Sequence, residues 1–177
     1  MITVVRSGRP LGERAHGPLL LLGEAPTEDA QVPLRTPWAR ARICRALWWE
    51  GWPDEHADCA NLLDEVQPQS PSGKGTTLDD AAARCAVRDS VELLGKYQRI
   101  VVLGTRAWRA IADVLDGIGP SNRILSRAAW GSDDDATHLL LYPHPSGTSR
   151  WWNDAQNVAR ARAALRSFVE VEEVKRA

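Results

Sequence analysis

The densest group of chemistry-bearing residues is His144-Pro145-Ser146-Gly147-Thr148-Ser149-Arg150, which follows the apolar run Leu139-Leu140-Leu141-Tyr142. A short apolar run reads as a buried strand. The loop at the C-terminal end of such a strand is where open α/β sheets place their ligands. Pro143 and Pro145 flank His144, each with its own φ fixed. Gly147, Thr148 and Ser149 carry small side chains, so their backbone amides can approach a phosphate closely. A neutral, hydrogen-bonding ring beside an anion-sized nest suits an active site. A turn with a structural histidine is the other reading of the same residues.

Two further stretches offer polar groups at the ends of apolar runs. Pro18-Leu19-Leu20-Leu21-Leu22 exits through Gly23-Glu24-Ala25-Pro26-Thr27-Glu28-Asp29. Gly23 permits a sharp turn, and the three carboxylates can move protons, cap a helix or sit in solvent. Asp58-Cys59-Ala60-Asn61-Leu62-Leu63 is a short strand candidate with one amide, Asn61, among apolar residues. The cysteines Cys44, Cys59 and Cys85 are widely spaced, form no CxxC pair and are too few for a four-thiolate iron–sulfur cluster. All three are expected to be buried as small apolar residues. No His and carboxylate spacing fits a metal either, so a protein without metal or cofactor is expected.

The elements that must position these groups alternate. Residues 1–17 form a short strand or arm with a Gly-rich connection, and Leu19–Leu22 reads as a central parallel strand buried on both faces. Thr36 caps and Pro37 opens a helix reaching Trp49. Ile43, Leu47 and Trp48 face its core side, Arg40, Arg42 and Arg45 point elsewhere, and Gly51 and Pro53 end it. The stretch 67–76 is a loop, and Thr76 or Thr77 caps a helix running to about Lys96 with Ala83, Val87, Val91 and Leu94 on one face. Arg99–Gly104 is a β-branched buried strand, and Thr105–Leu115 is a helix with Trp108 and Ile111 inward. Gly117–Asp135 reads as a long connection, with Asp133-Asp134-Asp135 a solvated turn. His138 opens the last strand, and Asn153 or Asp154 caps a final helix with Val158, Ala161, Leu165 and Phe168 at helical spacing. This order predicts one domain over residues 1–177: a three-layer α/β/α sandwich around a mostly parallel four-stranded sheet. The four strand ends then converge on one edge with Gly23-Glu24-Ala25-Pro26, Asn61, Gly104-Thr105 and His144-Pro145-Ser146-Gly147.

Composition fits a globular domain: 177 residues, 44% hydrophobic and 25% charged, with net charge -1. The balance gives no global signature of a nucleic-acid binder. Only Lys74, Lys96 and Lys175 of the 22 basic residues are lysine, and eight tryptophans stand against one phenylalanine. Arginine suits bidentate phosphate contacts and ring stacking. There is no 18-residue apolar run and no signal-peptide pattern at the start, so a cytoplasmic protein without membrane contact is expected.

Four motifs in order, Gly23-Glu24-Ala25-Pro26, Asn61-Leu62-Leu63, Val101-Val102-Leu103-Gly104 and His144-Pro145-Ser146, resemble those of the uracil-DNA glycosylase superfamily. The resemblance spans Leu19 to Ala164, and the first motif is most similar to the branch that reads Gly-Glu-Ala-Pro-Gly there. It implies a monomeric enzyme that flips a non-standard base out of DNA and hydrolyses its N-glycosidic bond, leaving an abasic site. By the match, His144 donates to the base oxygen as charge develops and Asn61 reads the polar edge of the base. Ala25, Pro26, Leu34 and Trp38 surround the base. Ser146, Gly147, Thr148 and Ser149 grip phosphates, and Arg150, Trp151 or Thr148 fills the gap left by extrusion.

The departures carry expectations too. Ala25 stands where more active branches carry a water-orienting Asp, so Glu24, Glu28, Asp29 or Asn61 takes that role. Leu34 stands where the branch has a stacking Phe, with Trp38 the nearby aromatic, and Thr27 replaces a Gly. The branch's iron–sulfur cluster has no counterpart here. A pocket changed in this way points away from uracil toward another deaminated or enlarged base. Modified cytosines of phage genomes are one such class, which links the reading to antiphage defence. A catalytically inactive DNA-binding or partner-binding member of the same fold is the alternative. An unrelated nucleotide-binding enzyme would need a GxGxxG or a P-loop Lys after the first strand, and neither is present.

Overall fold

Four parallel strands carry the fold, and their sequences explain why they are central. In the computed structural model, which describes residues 2–6, 19–26, 32–68, 78–119, 123–132, 135–146 and 149–170, the strands are β2 (Leu19–Gly23), β3 (Asp58–Asn61), β4 (Arg99–Leu103) and β6 (Thr137–Tyr142). Leu19 to Leu22, Ile100 to Leu103 and Leu139 to Tyr142 are at most 3% exposed, as continuous apolar runs must be when both faces of a sheet are covered. Their alternate side chains enter two separate clusters. Leu20, Leu22, Ile100, Val102, Leu139 and Leu141 pack with Ala83 and Val87 of α3 (Asp80–Arg88) and with Trp108 and Ile111 of α5 (Thr105–Ala112). Leu19, Leu21, Val101, Leu103, Leu140 and Tyr142 pack with Ile43 and Leu47, and with Ala161, Leu165 and Phe168 of α6 (Ala155–Val169).

The sheet has six strands, not the expected four, in the order β1-β3-β2-β4-β6-β5. Both additional strands are antiparallel edges. β1 (Val4–Val5) pairs with β3, and β5 (Arg127–Trp130) pairs with β6 from Arg127 opposite Leu140 to Trp130 opposite Thr137. β5 lies inside the stretch expected as a connection. Arg-Ala-Ala-Trp has little β propensity, and what makes it a strand is the free edge of β6. The parallel registers align Leu22 with Ala60, Leu22 with Val102, and Leu103 with Tyr142. The chain steps from β2 to one side for β3 and crosses to the other for β4, which puts a topological switch point at the end of β2.

The helices depart from expectation in three places. The segment after Thr36 is α1 (Pro37–Ala39), a π-helical turn (Arg40–Cys44) and α2 (Arg45–Leu47). Thr36 caps it, its side chain accepting from the Ala39 N–H (3.2 Å). It ends at Trp48 and not at Gly51, because Trp48 adopts φ 58°, a left-handed conformation that closes a helix. That turn puts Trp48 76% into solvent, contrary to its expected core position. Asp79 caps α3, accepting from Ala81 and Ala82, whereas Thr76 and Thr77 lie outside the described residues. The expected long helix breaks at Ser90 before α4 (Val91–Leu94). Ser90 is buried and its Oγ accepts the Ile2 N–H at 2.8 Å, so the break serves the N-terminal segment. Asp154 caps α6 as expected, accepting from Gln156 (2.8 Å). Cys44 and Cys59 are buried, but Cys85 is exposed, because its position on α3 faces away from Ala83 and Val87.

No helix among the described residues is long and apolar enough to cross a membrane. The packing makes a direct prediction. Leu141 is fully buried on a central strand, so Leu141→Ala is expected to lower stability by about 2–5 kcal/mol. A reduced urea midpoint with an unchanged slope checks it.

Candidate active site

Polar side chains appear where the buried strands stop. Gly23, Glu24, Ala25, Pro26, Leu34, Trp38, Asn61, His144 and Ser146 line one cavity, together with Val32, Pro33, Thr36 and Pro145. The cavity encloses about 100 Å³. A water needs roughly 10–15 Å³ by such a measure, so there is room for several waters or for one flat ring. Three of the four sequence motifs contribute to the lining, Val101–Gly104 does not, and Asn61 and His144 face one space from β3 and from the exit of β6. Backbone bonds fix the rim. The Leu62 and Leu63 N–H groups donate to the Gly23 and Glu24 carbonyls (3.0 and 3.1 Å), and the Gly104 N–H donates to the Tyr142 carbonyl (2.9 Å).

Two glycines permit the crowding. A Cβ on Gly23 would lie 2.5 Å from Asn61 Oδ1 and 3.3 Å from a Leu34 methyl. A Cβ on Gly104, whose φ is +105°, would lie 2.4 Å from Glu24 Oε1 and 3.2 Å from His144 Cδ2. Glycine is therefore required at position 104 by both conformation and space. It lets a carboxylate and an imidazole approach across the end of β4.

The protonation of the site follows from burial. Glu24 is raised above the ordinary carboxylate value mainly by desolvation, opposed by the Arg106 charge and by a hydrogen bond from the Arg106 backbone N–H. That N–H belongs to the first turn of α5, where a carboxylate also meets the positive end of the helix dipole. His144 is pushed down to about 4 by burial and by the nearby cations Arg106 and Arg42. Its Nδ1 accepts from the Ser146 N–H at 3.2 Å, so the neutral ring carries its proton on Nε2. Asn61 is only 5% exposed and lines the cavity, where its amide can offer one donor and one acceptor to a ligand or to water.

Other expected site residues take different places. Ser149, Arg150 and Trp151 do not line the cavity. Arg150 and Trp151 lie in a 3-10 turn, Arg150–Asn153, with Arg150 exposed and Trp151 half-buried edge-on against Trp152 (centroids 5.2 Å). Gly147, Thr148, Thr27, Glu28 and Asp29 lie outside the described residues. Arg42, expected only to point away from the core, donates through Nη1 to the Pro145 carbonyl (2.9 Å) and to the Ser146 carbonyl. Helical spacing could not reveal this, because both acceptors lie more than 100 residues further along the chain. A wider hollow of about 840 Å³ beside Pro37, Arg40, Trp49 and Trp52 offers only Glu50 and Cys44 for chemistry. Burial pushes the Cys44 thiol up to about 12, which makes it a poor nucleophile. No group of three or more His, Cys, Asp or Glu among the described residues is arranged to hold a metal ion.

No protein-family model matches the chain, and no curated protein matches it.

Two outcomes are expected. The unfolded chain protonates His144 near 6.5 and the folded chain only near 4. Between these values the unfolded state binds more protons, so this ring makes stability fall as pH drops through that window. A ring NMR titration with its midpoint near 4 checks it, and a midpoint near 6.5 would place the ring in solvent. Gly104→Ala is expected to displace Glu24 and His144 and move that midpoint upward, with the fold retained by circular dichroism.

Proposed function

We propose that this protein is a DNA glycosylase acting on a flipped-out, non-standard base, built as a three-layer α/β/α sandwich. The observation that carries the reading is the pairing, across one base-sized cavity, of the amide of Asn61 with a neutral His144 whose Nδ1 is taken by the Ser146 N–H, leaving its proton on Nε2. An amide offers one donor and one acceptor, the pattern needed to read the edge of a nucleobase. A neutral imidazole donor suits an oxygen on which negative charge grows, because it stabilises the anion without having to lose a charge first.

In the reaction, the bond between C1′ and the base nitrogen lengthens and its electron pair leaves with the base. His144 Nε2–H donates to the base oxygen as that anion forms, and the sugar becomes oxocarbenium-like. Water then bonds to C1′ and gives its proton to Glu24. A carboxylate raised by burial, against which the Arg106 charge and N–H favour the anion, suits both a counter-charge for the sugar cation and a base. Ala25 lacks a carboxylate of its own, so Glu24 is the described acid that can serve. Leu34, Pro26 and Ala25 supply an apolar wall, and Trp38, 54% exposed at the cavity, is the aromatic available for stacking. By the sequence resemblance Ser146, Gly147, Thr148 and Ser149 grip phosphates, and Arg150, which is exposed, adds a cation to that grip.

Incubation with DNAs, single- and double-stranded, that each carry one modified or deaminated base is expected to yield alkali-labile abasic sites on a subset. His144→Ala should keep the fold and most DNA affinity, since phosphate contacts dominate binding. It should slow excision about 10²–10³-fold, the usual loss for one donor to a developing anion. Asn61→Ala should also lose discrimination between bases, and Arg150→Ala should weaken binding and lower the salt slope by about 1. Both cavity variants cutting at wild-type speed would overturn the mechanism. Tight binding with no abasic site on any DNA would favour an inactive, DNA-binding member of this fold.

A further inference from the structure

The loop that carries His144 has three consecutive carbonyls, and side chains hold all of them. Trp152 Nε1–H donates to the His144 carbonyl at 2.8 Å. Arg42 Nη1 donates to the Pro145 carbonyl at 2.9 Å and to the Ser146 carbonyl. The Arg42 guanidinium lies over the Trp38 ring (5.4 Å to the centroid) and the Trp152 ring (4.7 Å). Its own carbonyl accepts from the Tyr142 hydroxyl at 3.1 Å, which ties the π turn to the last residue of β6. With the carbonyls of residues 144 to 146 fixed, the peptide plane between Pro145 and Ser146 is fixed as well. Its N–H then faces His144 Nδ1.

We propose that Arg42 is a positioning residue: a guanidinium clamped between two indoles orients the Pro145–Ser146 peptide, which keeps the His144 proton on Nε2 and available to the cavity. The inference rests on the reading of His144 as the donor in excision. Arginine suits the geometry because one amino group, Nη1, bonds both carbonyls while the flat guanidinium lies over the rings. A lysine ammonium supplies the charge and donors but not the flat faces that hold them in place. The charged groups facing His144 are Arg42 from the π turn, Arg106 from α5 and Glu24 from the exit of β2. Loss of Arg42 therefore removes one of two depressing cations as well as the loop restraint.

Nitrogen-15 NMR of the His144 ring, recorded without substrate, separates these effects. In Arg42→Gln the Nε2–H tautomer is expected to give way to a mixture, with the titration midpoint moving from about 4 toward 6.5. In Arg42→Lys the midpoint should stay low while the tautomer is still lost. On the best substrate DNA, either variant should lower the single-turnover rate by about tenfold to 10²-fold with little change in Kd, as for a catalytic group misplaced by a fraction of an ångström. In a His144→Ala background Arg42→Gln should cost nothing further. A folded Arg42→Gln protein with the wild-type tautomer and midpoint, or rate losses that add in full to those of His144→Ala, would overturn the proposal. If Arg42→Gln does not fold, the tautomer in Arg42→Lys decides in the same way. The ring measurement needs no activity, so it stands even where no DNA is cut and the glycosylase reading fails.

Discussion

A parallel sheet covered on both faces excludes polar side chains along its length, and this constraint organises the molecule. Between Leu19 and Leu22, Ile100 and Leu103, or Leu139 and Tyr142, nothing ionisable except the Tyr142 phenol is tolerated, and that hydroxyl is spent on the Arg42 carbonyl. An unpaired charge at such depth would cost several kcal/mol or neutralise itself. Polar groups are confined to strand ends: Asp58 opens β3 with its carboxylate accepting from the Tyr97 hydroxyl at 2.9 Å, and the rest gather at the opposite ends. Because the four strands run parallel, their ends coincide at one edge, and Glu24, Asn61 and His144 collect there. The cavity is the consequence of parallel pairing next to a switch point, where β3 and β4 diverge to either side of β2.

Crowding polar groups at that edge changes their chemistry. Burial drives His144 down and Glu24 up, so both move toward forms useful near neutral pH: a ring that is a donor without being a cation, and a carboxylate more basic than usual. The arrangement stands only because the backbone gives way at Gly23 and Gly104. It also stands because Leu34 accepts a left-handed φ of 62°, with the Thr36 N–H bonding back to its carbonyl at 2.8 Å. A bulky residue held in that region stores strain of about 1–3 kcal/mol. Here the strained turn leads directly into the Thr36 cap and brings Leu34 and Trp38 to the cavity wall.

Much of this was legible in the sequence. The continuous apolar runs gave the four parallel strands and the helices between them, and the residues just beyond each run were those that meet in the cavity. What was not legible has physical reasons. Arg127–Trp130 becomes a strand because β6 offers an edge, a tertiary cause that local propensity cannot report. Trp48 reads as core by helical spacing, but the left-handed turn at its own Cα carries it out of register. The break at Ser90 answers to an N–H 88 residues away. Helical spacing put Arg42 off the core face, as found, but its bonds to the Pro145 and Ser146 carbonyls are tertiary contacts more than 100 residues away that spacing cannot report.

The skewed use of arginine and tryptophan acquires a physical account from the same contacts. Arg42 lies over Trp38 and Trp152, Arg40 over Trp52 at 5.3 Å, and Arg166 over Trp48 at 4.4 Å, while Arg166 Nε also donates to the Ala46 carbonyl. In two of these cases one guanidinium stacks and hydrogen-bonds at once, which lysine cannot do. Each such pair is worth about 0.5–1 kcal/mol where exposed and about 2 where desolvated. The exposed Arg166–Trp48 pair therefore does little beyond seating the end of α2 on α6. The Arg42 pair is half-buried and placed next to the catalytic candidate, so the same chemistry has a different consequence there. It gives the His-Pro-Ser loop a second hold, beside the Trp152 indole, on the carbonyls around one proton-bearing ring.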